Sequence, residues 1–449
     1  MKRVIDFYLK EWKISPYRKP LLLRGARQVG KTYAIQQLGK SFDNILEVNF
    51  ETDDQFKNIF DHDLDPHRIA RDLALHLGTT ITPGSTLIFL DEIQTVPRAL
   101  TALRYFYEKF PEQHIIAAGS LLDFALKEVG IPVGRVSSLY VHPLSFFEFL
   151  CATNHTVLAQ AILESSLDNP FSQTIHEKLL TLVGHYLAIG GMPEAIARWA
   201  SNQDPQACVE VHRALIDTYR QDFNKYANKF QLNYINLVFN AVPRQIGSKF
   251  KYSLIEGDYR KRELAPCLDL LCTAGIAHTI CHSAGNGVPL GAEADLSDYK
   301  TLFLDVALCQ TVLGLNLKGW FLQPQQEFIN KGPLVEAFIG QELLAHAHPT
   351  QKSNLYYWRR NTKGSEAEVD YLMQDNGQII PIEVKSGMGS TLKSMRMFLD
   401  SHPQSPYGIR FSTNNYSQHE KIMSWPLYAI AGALLKSQPE TRASYESIL

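Results

Sequence analysis

The run Gly25-Ala26-Arg27-Gln28-Val29-Gly30-Lys31-Thr32 constrains this chain more than any other stretch. It has the form GxxxxGK[ST] and lies between an apolar run, Pro20 to Leu23, and a segment of helical character, Thr32 to Leu38. Strand, loop and helix N-terminus are the setting such a loop requires. Its two glycines permit backbone angles at which successive amide N–H groups converge on an anion, and the helix aims the positive end of its dipole there. The spacing predicts a phosphate cradle in which Lys31 reaches the β- and γ-phosphates of a nucleoside triphosphate and Thr32 holds Mg2+. The expected contact segment is Gly25, Ala26, Arg27, Gln28, Val29, Gly30, Lys31, Thr32 and Tyr33.

Further along, Leu87-Ile88-Phe89-Leu90 is a short continuous apolar run ending in Asp91-Glu92. Such a run suits a parallel strand buried on both faces. Either Asp91 is placed to hold Mg2+ through water and Glu92 to polarise an attacking water, or the run is an ordinary buried strand capped by two exposed acids. A third strand, His114 to Ala118, closes on Gly119-Ser120. Ser120 there either senses the γ-phosphate or belongs to a plain turn. In the stretch Gly134-Arg135-Val136, Arg135 is either an arginine finger that neutralises charge during phosphoryl transfer or a solvated loop arginine.

A chain of 449 residues is too long for one compact core, so two to four domains are expected. With 45% hydrophobic and 20% charged residues it reads as globular rather than disordered. A formal net charge of −2 provides no global attraction to nucleic acid or anionic lipid, so any such partner must meet a local patch. The six cysteines form no CxxC pair and no zinc spacing, as expected of reduced thiols. A charged N-terminus and the lack of a long uninterrupted apolar run point to a cytoplasmic protein without a membrane partner.

Strand and helix signals alternate over residues 1–145, as in a three-layer α/β domain with its ligand at the strand ends. Residues 146–205 turn helical and form a subdomain. Residues 206–283 carry helical runs, a possible hairpin and a basic stretch, Arg244, Lys249, Lys251, Arg260, Lys261 and Arg262, the outline of a winged helix-turn-helix. That module either meets double-stranded DNA through its basic face or only packs. Residues 284–299, rich in Gly, Ala and Pro, read as a linker, and 300–435 as a separate C-terminal domain.

Within that last part, Asn376-Gly377 separates two β-prone runs and predicts a hairpin with a two-residue turn. This register sets Asp370 opposite Glu383, about 5 Å apart at Cβ. Two facing carboxylates repel unless something positive lies between them, and Mg2+ would serve. Lys385 projects on the same face as Glu383 and would act on a metal-bound water. Glu336, on a helical segment upstream, would bring a third carboxylate. The alternative is a solvated charged hairpin.

The D…ExK pattern resembles the PD-(D/E)xK nuclease superfamily, in which these residues bind Mg2+ and hydrolyse a phosphodiester. Over nearly its full length the chain resembles prokaryotic AAA-type ATPases that carry a C-terminal domain of uncharacterised function with a restriction-endonuclease-like core. The resemblance rests on GARQVGKT, LIFLDEIQ, Gly119-Ser120, GRV at 134–136, Pro143-Leu144-Ser145-Phe146 with Glu148-Phe149, and Gly190-Gly191-Met192-Pro193. In the C-terminal part it rests on Phe303-Leu304-Asp305, Leu334-Val335-Glu336, Tyr357-Trp358-Arg359 and the run from Glu368 to Lys385. It implies a P-loop NTPase fold with a helical subdomain, a winged helix and a nuclease-like module. It also implies Mg2+-dependent ATP binding through Gly25, Gly30, Lys31, Thr32, Asp91 and Glu92. Oligomerisation, a protein partner and a purely nucleotide-gated, non-catalytic C-terminal module are all compatible with it.

Overall fold

The computed structural model describes residues 1–130, 134–227, 231–362, 365–387 and 392–449. Its chain forms two compact units: one of Met1–His142 with Thr273–Gly275 and His348–Lys352, the other of Pro143–Cys272, Ile276–Ala347 and Ser353–Leu449.

The first unit is built on five strands, β1 (Leu21–Arg24), β2 (Asn44–Asn49), β3 (Thr86–Asp91), β4 (His114–Ala118) and β5 (Ser137–Tyr140), in the order β2-β3-β4-β1-β5. Every pairing is parallel. Side chains of a strand alternate between faces. Ile88, Leu90, Ile115 and Ala117 join one core with the helices Pro66–His76, Pro97–Lys109 and Leu122–Val129. Leu87, Phe89 and Ile116, fully buried as well, therefore face the other side, where the helix Lys31–Gly39 packs. Burial on both faces is why β3 reads as an unbroken apolar run rather than an alternation. The fold is the parallel α/β sheet of a P-loop NTPase.

The second unit combines helices with an eight-stranded mixed sheet. Its strands are β6 (Ala277–Ser283), β7 (Ala294–Phe303), β8 (Leu355–Thr362), β9 (Ser365–Asp375), β10 (Gln378–Lys385), β11 (Gly408–Ser412), β12 (Ser417–His419) and β13 (Ile422–Pro426), in the order β12-β13-β11-β10-β9-β8-β6-β7. Two boundaries read from the sequence need correction. Residues 284–299 are not a plain linker, since Leu290–Glu293 is a 3-10 turn and β7 starts at Ala294, antiparallel to β6. The first half of β7 lies at the sheet edge with Leu296 78% exposed, so it carries no apolar pattern to find. The helices Gln231–Arg244 and Lys261–Thr273 are followed by the β6–β7 hairpin, as in a wing, but β6 also pairs with β8. The hairpin is thus one end of a larger sheet, not a free-standing module ending at 283.

The β9–β10 turn has Asn376 at φ 46° and Gly377 at φ 77°, and Asp375 pairs with Gln378 and Tyr371 with Ile382, the register anticipated from Asn-Gly. Elsewhere in this unit, Ser145 and Glu148 cap a helix reciprocally, each side chain bonding the other's backbone N–H at 3.2 and 3.0 Å. Gly191 N–H donates to buried Asp305 at 2.6 Å, which joins two of the family-like motifs in one structural network.

Candidate functional site

The loop from Gly25 to Gly30 leaves the C-terminal end of β1 and enters the helix Lys31–Gly39. Gly25 has φ +139°, and a Cβ there would lie 2.2 Å from the carbonyl oxygen of Val141, so no larger residue fits. Gly30 is left-handed at the helix N-cap, and Gln28 is left-handed within the loop. Lys31 is buried, and its ammonium donates to the carbonyls of Gly25 at 2.9 Å and Ala26 at 2.7 Å. Val29 is fully buried and its carbonyl accepts from Arg3 at 2.8 Å; the same guanidinium donates to the His142 carbonyl at 2.9 Å. Arg3 ties the loop to its surroundings from outside the motif, and no local pattern announces it. Ala26 is buried, Arg27 is partly exposed, and Tyr33 is 45% exposed with its hydroxyl accepting from the Met1 amine at 3.0 Å.

Three strand ends meet this loop. Because β3 lies two strands from β1 in a parallel sheet, Asp91 ends on the same edge as the loop. Thr32 Oγ1 donates to Asp91 Oδ2 at 3.2 Å, and the Glu92 N–H donates to Asp91 Oδ1 at 3.0 Å. Glu92 sits at φ 53°, ψ 40°, a left-handed conformation that costs a non-glycine residue about 1–2 kcal/mol. Its Oε2 accepts from Gln94 Nε2 at 2.6 Å and lies 3.3 Å from the N–H and 3.4 Å from the Oγ of Ser120. The structure thus brings Thr32, Asp91, Glu92 and Ser120 together. Gln94 is an addition; it closes the motif LIFLDEIQ, which by itself assigns it no role.

Burial, reinforced by the Glu92 charge, raises Asp91 to about 6. Burial lowers Lys31 to about 8, against the pull of Glu92 and Asp91. A carboxyl raised in this way beside a second acid is a place where a divalent cation relieves repulsion, so Thr32 and Asp91 fit an Mg2+ ion.

Arg135 lies elsewhere. It precedes β5, whose Ser137 pairs with Leu21 at the start of β1, so Arg135 is at the sheet edge opposite to the loop of its own chain. Its Nε is 3.2 Å from Glu108 Oε1.

The acidic residues of the second unit also converge, but around a different cation. Lys300 on β7, its side chain only 1% exposed, places Nζ 2.9 Å from Glu336 Oε1, 2.5 Å from Glu368 Oε1 and 3.9 Å from Asp370 Oδ1. Asp370 Oδ2 accepts from the Val384 N–H at 2.8 Å, and Lys385 Nζ is 2.7 Å from Glu383 Oε1. Among the described residues no group of three or more His, Cys, Asp or Glu is arranged to hold a metal ion. Around the residues expected to hold a second metal, Glu336, Asp370 and Glu383 with Lys385, an ammonium group stands among the carboxylates, and Glu383 Oε1 is engaged by Lys385. Lys300 is the first residue of the expected C-terminal domain and carries no motif. No helix among the described residues is long and apolar enough to cross a membrane.

Comparison with known proteins agrees with the first unit. Residues 17–150 match the family described as AAA domain, AAA_14, while 180–319 and 331–430 match two families described only as domains of unknown function, DUF8612 and DUF4143. No match was found among the curated proteins. Of solved structures, a Walker-type ATPase of Pyrococcus abyssi is 16% identical, with 70% of this chain and 95% of that one covered and a TM-score of 0.42. The Aeropyrum pernix Orc1 protein in complex with DNA is 12% identical over 70% and 93%, TM-score 0.23, and the C. elegans protein PCH-2 is 14% identical over 45% and 62%, TM-score 0.24. At such scores these likenesses carry no argument about partner or activity. With its glycine loop, its five parallel strands and the family match together, the segment 17–150 is an AAA-type P-loop ATPase domain.

Proposed function

We propose that the chain binds ATP with Mg2+ at Gly25–Thr32 and hydrolyses its terminal phosphoanhydride bond. The observation that carries this reading is the Thr32–Asp91 hydrogen bond of 3.2 Å, which joins the loop to the acidic strand end at one point of the sheet edge. Loop amides and Lys31 bind the phosphates, and Thr32 and Asp91 hold Mg2+, which supplies charge neutralisation at the β- and γ-phosphates. Glu92 orients a water and takes its proton as that water bonds to the γ-phosphorus and the bond to the bridging oxygen breaks, releasing ADP and phosphate. Ser120 and Gln94 hold the Glu92 carboxylate in place. Arg135, at the far edge of its own sheet, serves as a finger only in a neighbouring subunit.

For the second unit we favour a binding module governed by nucleotide state, with double-stranded DNA or a protein as partner, over a nuclease. Lys300 among the carboxylates supports this choice. Of the basic residues, Arg244, Lys251, Arg260, Lys261 and Arg262 are exposed, whereas Lys249 pairs with Asp298 at 2.8 Å. The test is phosphate release from ATP by the full chain, with and without Mg2+ and with and without double-stranded DNA. Steady Mg2+-dependent turnover is expected; its absence under all conditions removes the hydrolase reading, and stimulation by DNA identifies the partner class.

The same assay yields a pH profile. ATP needs Asp91 ionised and Lys31 charged, so kcat/KM should fall below about 6 as Asp91 gains a proton and above about 8 as Lys31 loses one. Each limb should approach about tenfold per pH unit, since kcat/KM reports the groups of the free enzyme. A profile flat from about pH 5 to pH 9 would detach these two residues from the chemistry.

A further inference from the structure

The carboxylate cluster of the second unit has the outline of a nuclease metal site and the wrong cation. Lys300 is carried by β7, where it pairs with Ile280 on β6, and its side chain is almost wholly shielded from solvent. Its Nζ lies 2.9 Å from Glu336 and 2.5 Å from Glu368, with Asp370 at 3.9 Å and the ring of Tyr357 5.2 Å away.

Such an ammonium group does what the ion would do. Held 2.5–3.9 Å from carboxylate oxygens of Glu368, Glu336 and Asp370, it neutralises the repulsion that makes a bare carboxylate cluster recruit Mg2+. Magnesium demands oxygen ligands at about 2.0–2.1 Å in octahedral array and gives up its water reluctantly. Oxygens already in short hydrogen bonds to an ammonium group are poor donors to it. Displacing Lys300 from the carboxylates would leave its buried charge without partners. Of the remaining expected ligands, Asp370 Oδ2 accepts from the Val384 N–H and Glu383 Oε1 is paired with Lys385, so that a single buried oxygen, Glu383 Oε2, is left without a partner, too few to hold an ion.

We propose that Lys300 is a built-in cation in the place where a nuclease of this outline holds its divalent metal, so that the cluster takes up neither Mg2+ nor Mn2+ and cleaves no phosphodiester bond. The arrangement fixes β7, β9, β10 and the helix Gly332–Ala345 to one another, and it leaves the unit suited to binding rather than cutting. This inference does not depend on the ATPase reading, because every residue in it belongs to the second unit.

The test is Mn2+ binding to the nucleotide-free full chain, followed by electron paramagnetic resonance, for wild type, Asp370→Asn, Lys300→Met and the double variant. Wild type and Asp370→Asn should bind the same number of ions. Lys300→Met should gain one ion per chain, and the double variant should lose it. An ion in the wild type that Asp370→Asn removes overturns the proposal, and so does a folded Lys300→Met with no added ion. Should Lys300→Met fail to fold, the comparison of wild type with Asp370→Asn decides alone. Nicking of supercoiled plasmid in Mn2+ should be no faster with wild type than with Asp370→Asn; a difference also overturns the proposal.

Discussion

Glu92→Gln is expected to bind ATP as tightly as the wild type and to hydrolyse it about 10²–10⁴-fold more slowly, the usual worth of a positioned general base. Glutamine keeps the size and an acceptor oxygen, so the contacts of Oε2 with Gln94 and Ser120 can persist. What it loses is the negative charge and the capacity to accept a proton. Glutamine tolerates the left-handed backbone here as well as glutamate does, so folding should be little affected. Single-turnover hydrolysis and nucleotide binding measured on the same preparation separate the two quantities. Turnover at the wild-type rate would assign the water to another residue.

Lys31→Ala should weaken ATP binding by about a thousandfold, as expected when one member of a buried, hydrogen-bonded charge pair costs about 2–5 kcal/mol. The ammonium is already within the loop, donating to the Gly25 and Ala26 carbonyls, so its removal takes away both a phosphate partner and an internal brace of the cradle. Titration with a fluorescent nucleotide, alongside a thermal melt, distinguishes lost affinity from lost fold. If the variant binds within about threefold of the wild type, the phosphates do not sit where the loop implies.

The two candidate sites differ in how much of them was legible in the chain. At the nucleotide loop, Gly25, Lys31 and Thr32 are close in sequence, and the apolar run of β3 delivers Asp91 and Glu92 to the same edge because a parallel sheet ends its strands together. Arg3 and Gln94 were missed: the first acts through two backbone carbonyls, which have no sequence signature, and the second through one short hydrogen bond. Arg135 is a candidate by residue type and loop position alone, and only the pairing of Ser137 with Leu21 shows which edge it occupies.

In the second unit the Asn-Gly turn was enough to number the β9–β10 register, since a two-residue turn leaves no freedom in the pairing. It could not say what stands above that hairpin. Lys300 reaches Glu336 across 36 residues of chain and Glu368 and Asp370 across more, through a strand that enters the sheet three places away. Motif spacing by itself determined an anion-binding loop, its acidic strand and a hairpin of facing carboxylates, because local backbone geometry and alternation follow from near neighbours. Which cation those carboxylates meet was decided only by tertiary packing, because a charge brought in from a distant strand obeys the burial and pairing of the assembled core and leaves no trace in the residues around it.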